Sequence, residues 1–210
     1  MSHAYQLLPG SLNTAVYLPM SGEEARALAA LLPAPRPTLI AVDVDWNRDL
    51  SPWPAPRAFR GGEDFTGGAA DFLLDLTQRL IPEAEARLTV PPAHRMIAGY
   101  SLGGLFAVYA ALSSDCFDLA ASMSGSLWYD GFAEEAVARA GECRAARMYF
   151  SLGDREKQTR NQRMARVEEC TRQIEAALRA SGVETRLEMN PGGHFQDVPK
   201  RIARGIAALL

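Results

Sequence analysis

A mostly parallel β-sheet with helices on both faces is the fold class that this sequence predicts, and three observations predict it. From residue 14 to the end, short apolar runs of strand character alternate with segments of helical period. The run at residues 38–44, Thr-Leu-Ile-Ala-Val-Asp-Val, is almost continuously apolar, as befits a strand buried on both faces. Finally, Gly99-Tyr100-Ser101-Leu102-Gly103 lies between an apolar strand pattern and a helix-forming run, where such a sheet turns from strand to helix. With 210 residues, 48% of them apolar, the chain can bury a sizeable core, and we expect a single domain over residues 1–210.

Taken in order, residues 14–18 read as a strand closed by Pro19, and residues 22–32 as a helix with glutamates early and apolar residues at helical spacing. Pro33, Pro35 and Pro37 break the chain before the strand at 38–44. Residues 45–64 hold three prolines and two tryptophans and cannot be regular throughout, so they form a long ordered loop. A helix follows at 68–87, with Phe72, Leu73, Leu76 and Leu80 on one side and a kink expected at Pro82. Residues 94–98 lead into the Gly-x-Ser-x-Gly turn, whose helix runs to residue 112. Strands at 119–123, 147–152 and 185–189 alternate with helices at 132–140, 161–180 and 198–210, and Gly182 suits the end of the long one.

Composition narrows the partners. A net charge of −3 leaves no broad basic field, which excludes nucleic acid and anionic membrane surfaces and leaves small molecules. The sequence carries no signal for an oligomeric state. Cys116, Cys143 and Cys170 are an odd set without C-x-x-C spacing, which suits free thiols in a reducing compartment. The segment Met1-Ser2-His3-Ala4-Tyr5-Gln6 has no basic stretch followed by an apolar one, so the expected location is the cytoplasm. No His, Cys and carboxylate grouping has metal spacing, and neither a metal nor another cofactor is expected.

The glycine-flanked Ser101 carries the chemistry. A serine on a sharp strand-to-helix turn projects its hydroxyl from the carboxyl edge of the sheet, and the N–H of Leu102, at the start of the helix, faces a developing oxyanion. A second donor is expected just past the strand at 38–44, from Val44 or Asp45, with Trp46 in the same region. His194, in Asn190-Pro191-Gly192-Gly193-His194, follows the last strand and precedes the last helix, the place for a general base. Of the other two histidines, His3 lies in a terminus expected to fray, and His94 precedes a strand as a surface or packing residue. The loop after residue 152 offers two carboxylates to orient the imidazole, Asp154 and Glu156. Trp128, at a strand end on the same edge, is the best-placed wall of a substrate pocket, with Trp46 a further candidate.

These stretches together resemble the putative-esterase branch of the α/β-hydrolases, which holds siderophore trilactone esterases and esterase D-like enzymes. The resemblance is carried by Asp49-Leu50-Ser51-Pro52, Gly67-Gly68-Ala69-Ala70-Asp71-Phe72, Leu80-Ile81-Pro82, the turn at residues 98–106, Ser124-Gly125-Ser126-Leu127-Trp128 and Gly192-Gly193-His194, within residues 45–198. It implies a three-layer α/β-hydrolase fold, here without a lid domain, and a Ser-His-acid triad. Relatives carry a glutamate three places after a glycine in the acid loop, which Gly153 and Glu156 match, so the resemblance favours Glu156 over Asp154. Relatives also carry an arginine where Arg48 stands, which either orients its loop or meets substrate. The implied activity is hydrolysis of a small-molecule carboxylic ester by a serine esterase through an acyl-enzyme. The alternatives are acyl transfer to an acceptor other than water, and a non-catalytic binding protein on the same fold.

Overall fold

Side chains that alternate along the strands build two cores on opposite faces of one sheet. The structure, a computed structural model, describes residues 3–210; Met1 and Ser2, which open the N-terminal segment considered above, lie outside the described residues. The strands are β1 (Tyr5–Leu8), β2 (Thr14–Pro19), β3 (Thr38–Val42), β4 (Pro54–Ala55), β5 (Phe65–Thr66), β6 (His94–Tyr100), β7 (Leu119–Met123), β8 (Arg147–Gly153) and β9 (Glu184–Asn190). The helices are α1 (Gly22–Ala29), α2 (Trp46–Asp49), α3 (Ala69–Asp75), α4 (Ile81–Glu85), α5 (Leu102–Ser113), α6 (Phe132–Ala138), α7 (Gln162–Ala165), α8 (Val167–Ala180) and α9 (Val198–Ala207).

Among the described residues seven strands form the main sheet in the order β1-β3-β2-β6-β7-β8-β9, parallel except for β1, which pairs antiparallel with β3 at one edge. Tyr17, Ile40, Ile97, Ala120 and Phe150 point to one face, where α3 to α6 and α8 cover them with Phe72, Phe106, Phe132 and Ile174. Their neighbours Val16, Leu39, Met96, Ala121 and Tyr149 point to the other, under α1 and α9 with Leu28, Ile202 and Ile206. This is the three-layer α/β arrangement that the alternation predicts.

Two departures have local causes. At the expected kink near Pro82 the helix widens: residues Leu76–Leu80 form one π turn, with Ile81 N–H bonding the carbonyl of Leu76, which accommodates the proline ring while the helix continues into α4. The helix expected at 161–180 divides at Arg166, with Asn161 capping α7 through its side chain. β1 and the β4–β5 hairpin were not foreseen, since each is too short to show a period. No helix among the described residues is long and apolar enough to cross a membrane.

Candidate active site

Four neighbouring parallel strands, β6 to β9, end along one edge of the sheet, and each is followed by a polar side chain of the site. Ser101 follows β6 with φ 57° and ψ −120°, outside the helical region although it caps α5. For a residue with a Cβ this conformation is strained and persists only where the surroundings impose it. Gly99 makes it possible, since a Cβ there would run into the backbone of Gly103. Leu102 is the first residue of α5, so its N–H has no acceptor within the helix.

His194, in the loop between β9 and α9, reaches back over the edge. Its Nε2 lies 3.1 Å from Ser101 Oγ and its Nδ1 2.8 Å from Glu156 Oε2. Glu156 stands two strands away from the serine, about 10 Å at normal strand spacing, and the imidazole spans that gap. The carboxylate is 3% exposed. Burial pushes its pKa up, but hydrogen bonds from His194, Ser124 Oγ and the Gly153 N–H outweigh that and leave it below the ordinary carboxylate range. It is therefore an anion at neutral pH. Asp154 does something else: its side chain is 57% exposed and accepts the Gly192 N–H at 2.8 Å, tying two loops together.

In the region expected to supply the second oxyanion donor, one N–H is already engaged. Asp45 N–H donates to Asp49 Oδ2 at 2.7 Å and is taken, while Val44 packs against the core. In the sheet order β2, not β3, lies beside β6, so the chain after β2 also comes close to Ser101. The residue following β2 is Met20, whose N–H is shared between the carbonyls of Leu18 at 2.9 Å and Val42 at 3.1 Å. A hydroxyl also lies close, Ser126 Oγ, 3.3 Å from Ser101 Oγ and buried.

Ser101 and His194 open into a cavity of about 480 Å³ walled by Pro19, Met20, Trp46, Phe65, Trp128 and Met164. Trp46 and Trp128 thus both reach it, and Arg163 stacks on Trp128 with its guanidinium carbon 5.5 Å from the ring centre. Arg48 is not among the residues that line the cavity, and its Nε pairs with Asp49 Oδ1 at 2.7 Å. His3 is likewise corrected: it does not fray but sits 10% exposed, with Nδ1 2.7 Å from Asp75 and Nε2 3.0 Å from Asp49. His94 stands exposed at the start of β6.

Sequence reasoning missed Arg201, Ser124 and Tyr100, which surround Glu156 and the His194 loop. For Arg201 a signal existed, since Val198, Arg201, Ile202, Gly205 and Ile206 follow one helical stripe and a cation stands in the middle of it.

Comparison with known proteins bears on family and fold. A family model described as "Putative esterase" matches residues 11–197. The uncharacterized protein YbbA of Bacillus subtilis is 32% identical over 155 residues, covering 70% of this chain and 61% of that protein, so the match spans less than two thirds of its length. An IroE-like serine hydrolase from Shewanella oneidensis superimposes with a TM-score of 0.79 at 19% identity, covering 99% of this chain and 75% of that one. The siderophore hydrolase EstA from Aspergillus nidulans gives 0.72 at 20% identity, covering 98% and 89%. At those identities the two structures bear on the fold.

Proposed function

The chain belongs to the putative esterase family of the α/β-hydrolases, and from that premise we propose that it hydrolyses a small-molecule carboxylic ester through an acyl-enzyme on Ser101. The observation that carries this reading is the hydrogen-bonded series Ser101 Oγ, His194 and Glu156 at the mouth of an apolar cavity.

In this mechanism Ser101 Oγ attacks the acyl carbonyl while His194 Nε2 takes its proton. Glu156 Oε2 holds the Nδ1 proton and stabilises the imidazolium that forms. The negative charge on the carbonyl oxygen falls on the Leu102 N–H at the start of α5. Collapse of the tetrahedral adduct expels the alcohol, which leaves with the proton from His194. Water, deprotonated by the same imidazole, then attacks the acyl-enzyme, releasing the acid and restoring Ser101. Each step uses side chains already in contact, which is where the rate advantage of fixed geometry originates.

The cavity argues for an ester with an apolar acyl or alcohol part, which Trp46, Phe65, Trp128 and Met164 would desolvate, while Glu24, Arg57 and Glu63 on the same wall leave places for polar groups. The cytoplasm is the compartment that fits three free thiols.

The test is labelling of Ser101 by a fluorophosphonate, followed by turnover of p-nitrophenyl esters of increasing acyl length, with a siderophore ester included because of the EstA neighbour. Labelling with hydrolysis of the apolar esters is expected. Labelling without turnover would move the reading to acyl transfer, and absence of labelling would overturn it.

A further inference from the structure

The cation on the apolar stripe of α9 needs a reason to be buried. Arg201 is 3% exposed, and a guanidinium in that position must find acceptors for its N–H groups. Its Nη1 donates to Glu156 Oε1 at 3.1 Å and lies 3.3 Å from both Tyr100 OH and Ser124 Oγ, while Nη2 donates to the Pro191 carbonyl at 2.9 Å. Tyr100 OH in turn donates to the His194 carbonyl. One guanidinium therefore joins the loop that carries the carboxylate to the loop that carries the imidazole. A Cβ at Gly153 would run into the Gly192 carbonyl oxygen and lie 3.0 Å from both Nη1 and Nη2, so the glycine lets the two loops and the guanidinium close together.

The two oxygens of Glu156 are divided between two tasks. Oε2 faces His194, and Oε1 takes Ser124 Oγ at 2.6 Å, the Gly153 N–H at 2.6 Å and Arg201. An anion beside an imidazole favours the protonated ring, and a cation on the far side of that anion opposes the effect. A protonated His194 cannot accept the Ser101 proton.

We propose that Arg201 is a positioning residue for the reaction, which holds the Glu156 and His194 loops in register and offsets the charge that Glu156 presents to the imidazole. The proposal rests on the reading of Ser101, His194 and Glu156 given above. Other charged groups near the two loops are Asp154, Arg155, Asp197, Lys200 and Arg204, each with a side chain more than half exposed, and Glu24, Arg57 and Glu63 stand on the cavity wall. Solvent screens exposed charges far more than it screens the pair of Arg201 and Glu156, each 3% exposed.

The experiment is kcat and KM for p-nitrophenyl butyrate from pH 5 to 9 in the unaltered protein, Arg201→Lys and Arg201→Met. Arg201→Met should lower kcat by about ten- to a thousandfold, short of the loss that follows removal of a triad carboxylate, with KM little changed. Its acid limb should move toward alkaline pH by about one unit, a shift that loosened packing alone does not produce. Arg201→Lys should keep the original limb, because the charge remains, with a smaller loss in kcat. An acid limb unmoved in Arg201→Met overturns the proposal whatever the rate. Should that variant not fold, Arg201→Gln is read in the same way, and failure of both neutral variants to fold overturns it by assigning Arg201 to the fold. Absence of turnover in the unaltered protein is a different result, which fails the esterase reading before any variant is made.

Discussion

Two clusters in this molecule use the same three residue types, histidine, carboxylate and arginine, for opposite ends. In the site, His194 has a carboxylate on Nδ1 and the Ser101 hydroxyl on Nε2, at the wall of a cavity. Near the N-terminus, His3 has Asp75 on Nδ1 and Asp49 on Nε2, and Arg79 and Arg48 pair with those same two carboxylates. Each ring nitrogen of His3 faces a carboxylate, and among the described residues no hydroxyl stands where it could hand the ring a proton. His194 keeps one nitrogen facing a hydroxyl, so it can take and return a proton. The lesson is that the partner of the second nitrogen, more than burial or the presence of a carboxylate, separates a proposed base from a clamp.

The strongest way to break the comparison is to exchange the two histidines for glutamine. His194→Gln should lower kcat by about four to six orders of magnitude with the melting temperature almost unchanged. His3→Gln should leave kcat within about threefold, yet lower Tm by about 2–5 °C through the lost link between Asp49 and Asp75, each of which keeps its arginine. Steady-state kinetics and thermal melts on the two variants decide it. Equal kinetic losses would end the distinction.

A smaller contrast lies within one loop. Glu156→Gln should reduce kcat by up to about ten-thousandfold, whereas Asp154→Asn should stay within about tenfold and show mainly as lower stability, because its carboxylate holds the Gly192 N–H. A greater kinetic loss for Asp154→Asn would transfer the orienting role to it.

Acid should weaken both clusters in the same direction. Hydrogen bonds from Arg79 hold Asp75 well below the usual carboxylate range, opposed by burial and helped by His3. Burial raises Asp49, but Arg48, the Asp45 N–H and His3 bring it below that range overall, and Glu156 is lowered too. A carboxyl depressed in the folded state binds fewer protons there than in the unfolded chain, so its contribution is present above the unfolded value of about 4 and disappears as pH falls through the folded one. Melting temperature should be level from pH 7 to about 5 and fall steeply below about 4, and Asp75→Asn should start lower with a shallower fall. A profile of unchanged slope in Asp75→Asn would count against the clamp.

The smallest effect is expected from Arg48→Met. Its guanidinium meets Asp49 rather than the cavity, so KM should change by less than about twofold while Tm drops by a few degrees. A severalfold rise in KM would return Arg48 to the substrate.

What the sequence determined by itself was everything encoded over a few consecutive residues. Strand–helix alternation was legible because burial imposes periods of two and 3.6 on neighbouring positions. Ser101 was legible because its turn needs glycine on both sides, and His194 because it follows the last strand in a glycine-rich loop. Tertiary structure decided what depends on which segments become neighbours. Sheet order placed β2 beside β6, and a contact within the loop after β3 engaged the Asp45 N–H, neither of which a local pattern shows. Contacts across 46 and 72 positions turned His3 from an expected loose end into a clamp, and a contact across 45 positions put Arg201 on Glu156. A local pattern reports which side of its own segment a residue occupies, whereas the charge it meets there comes from a different segment, brought up by closing a long loop whose entropic cost hardly depends on its length. For that reason the kind of residue in the site could be read early, and its ionic partners could not.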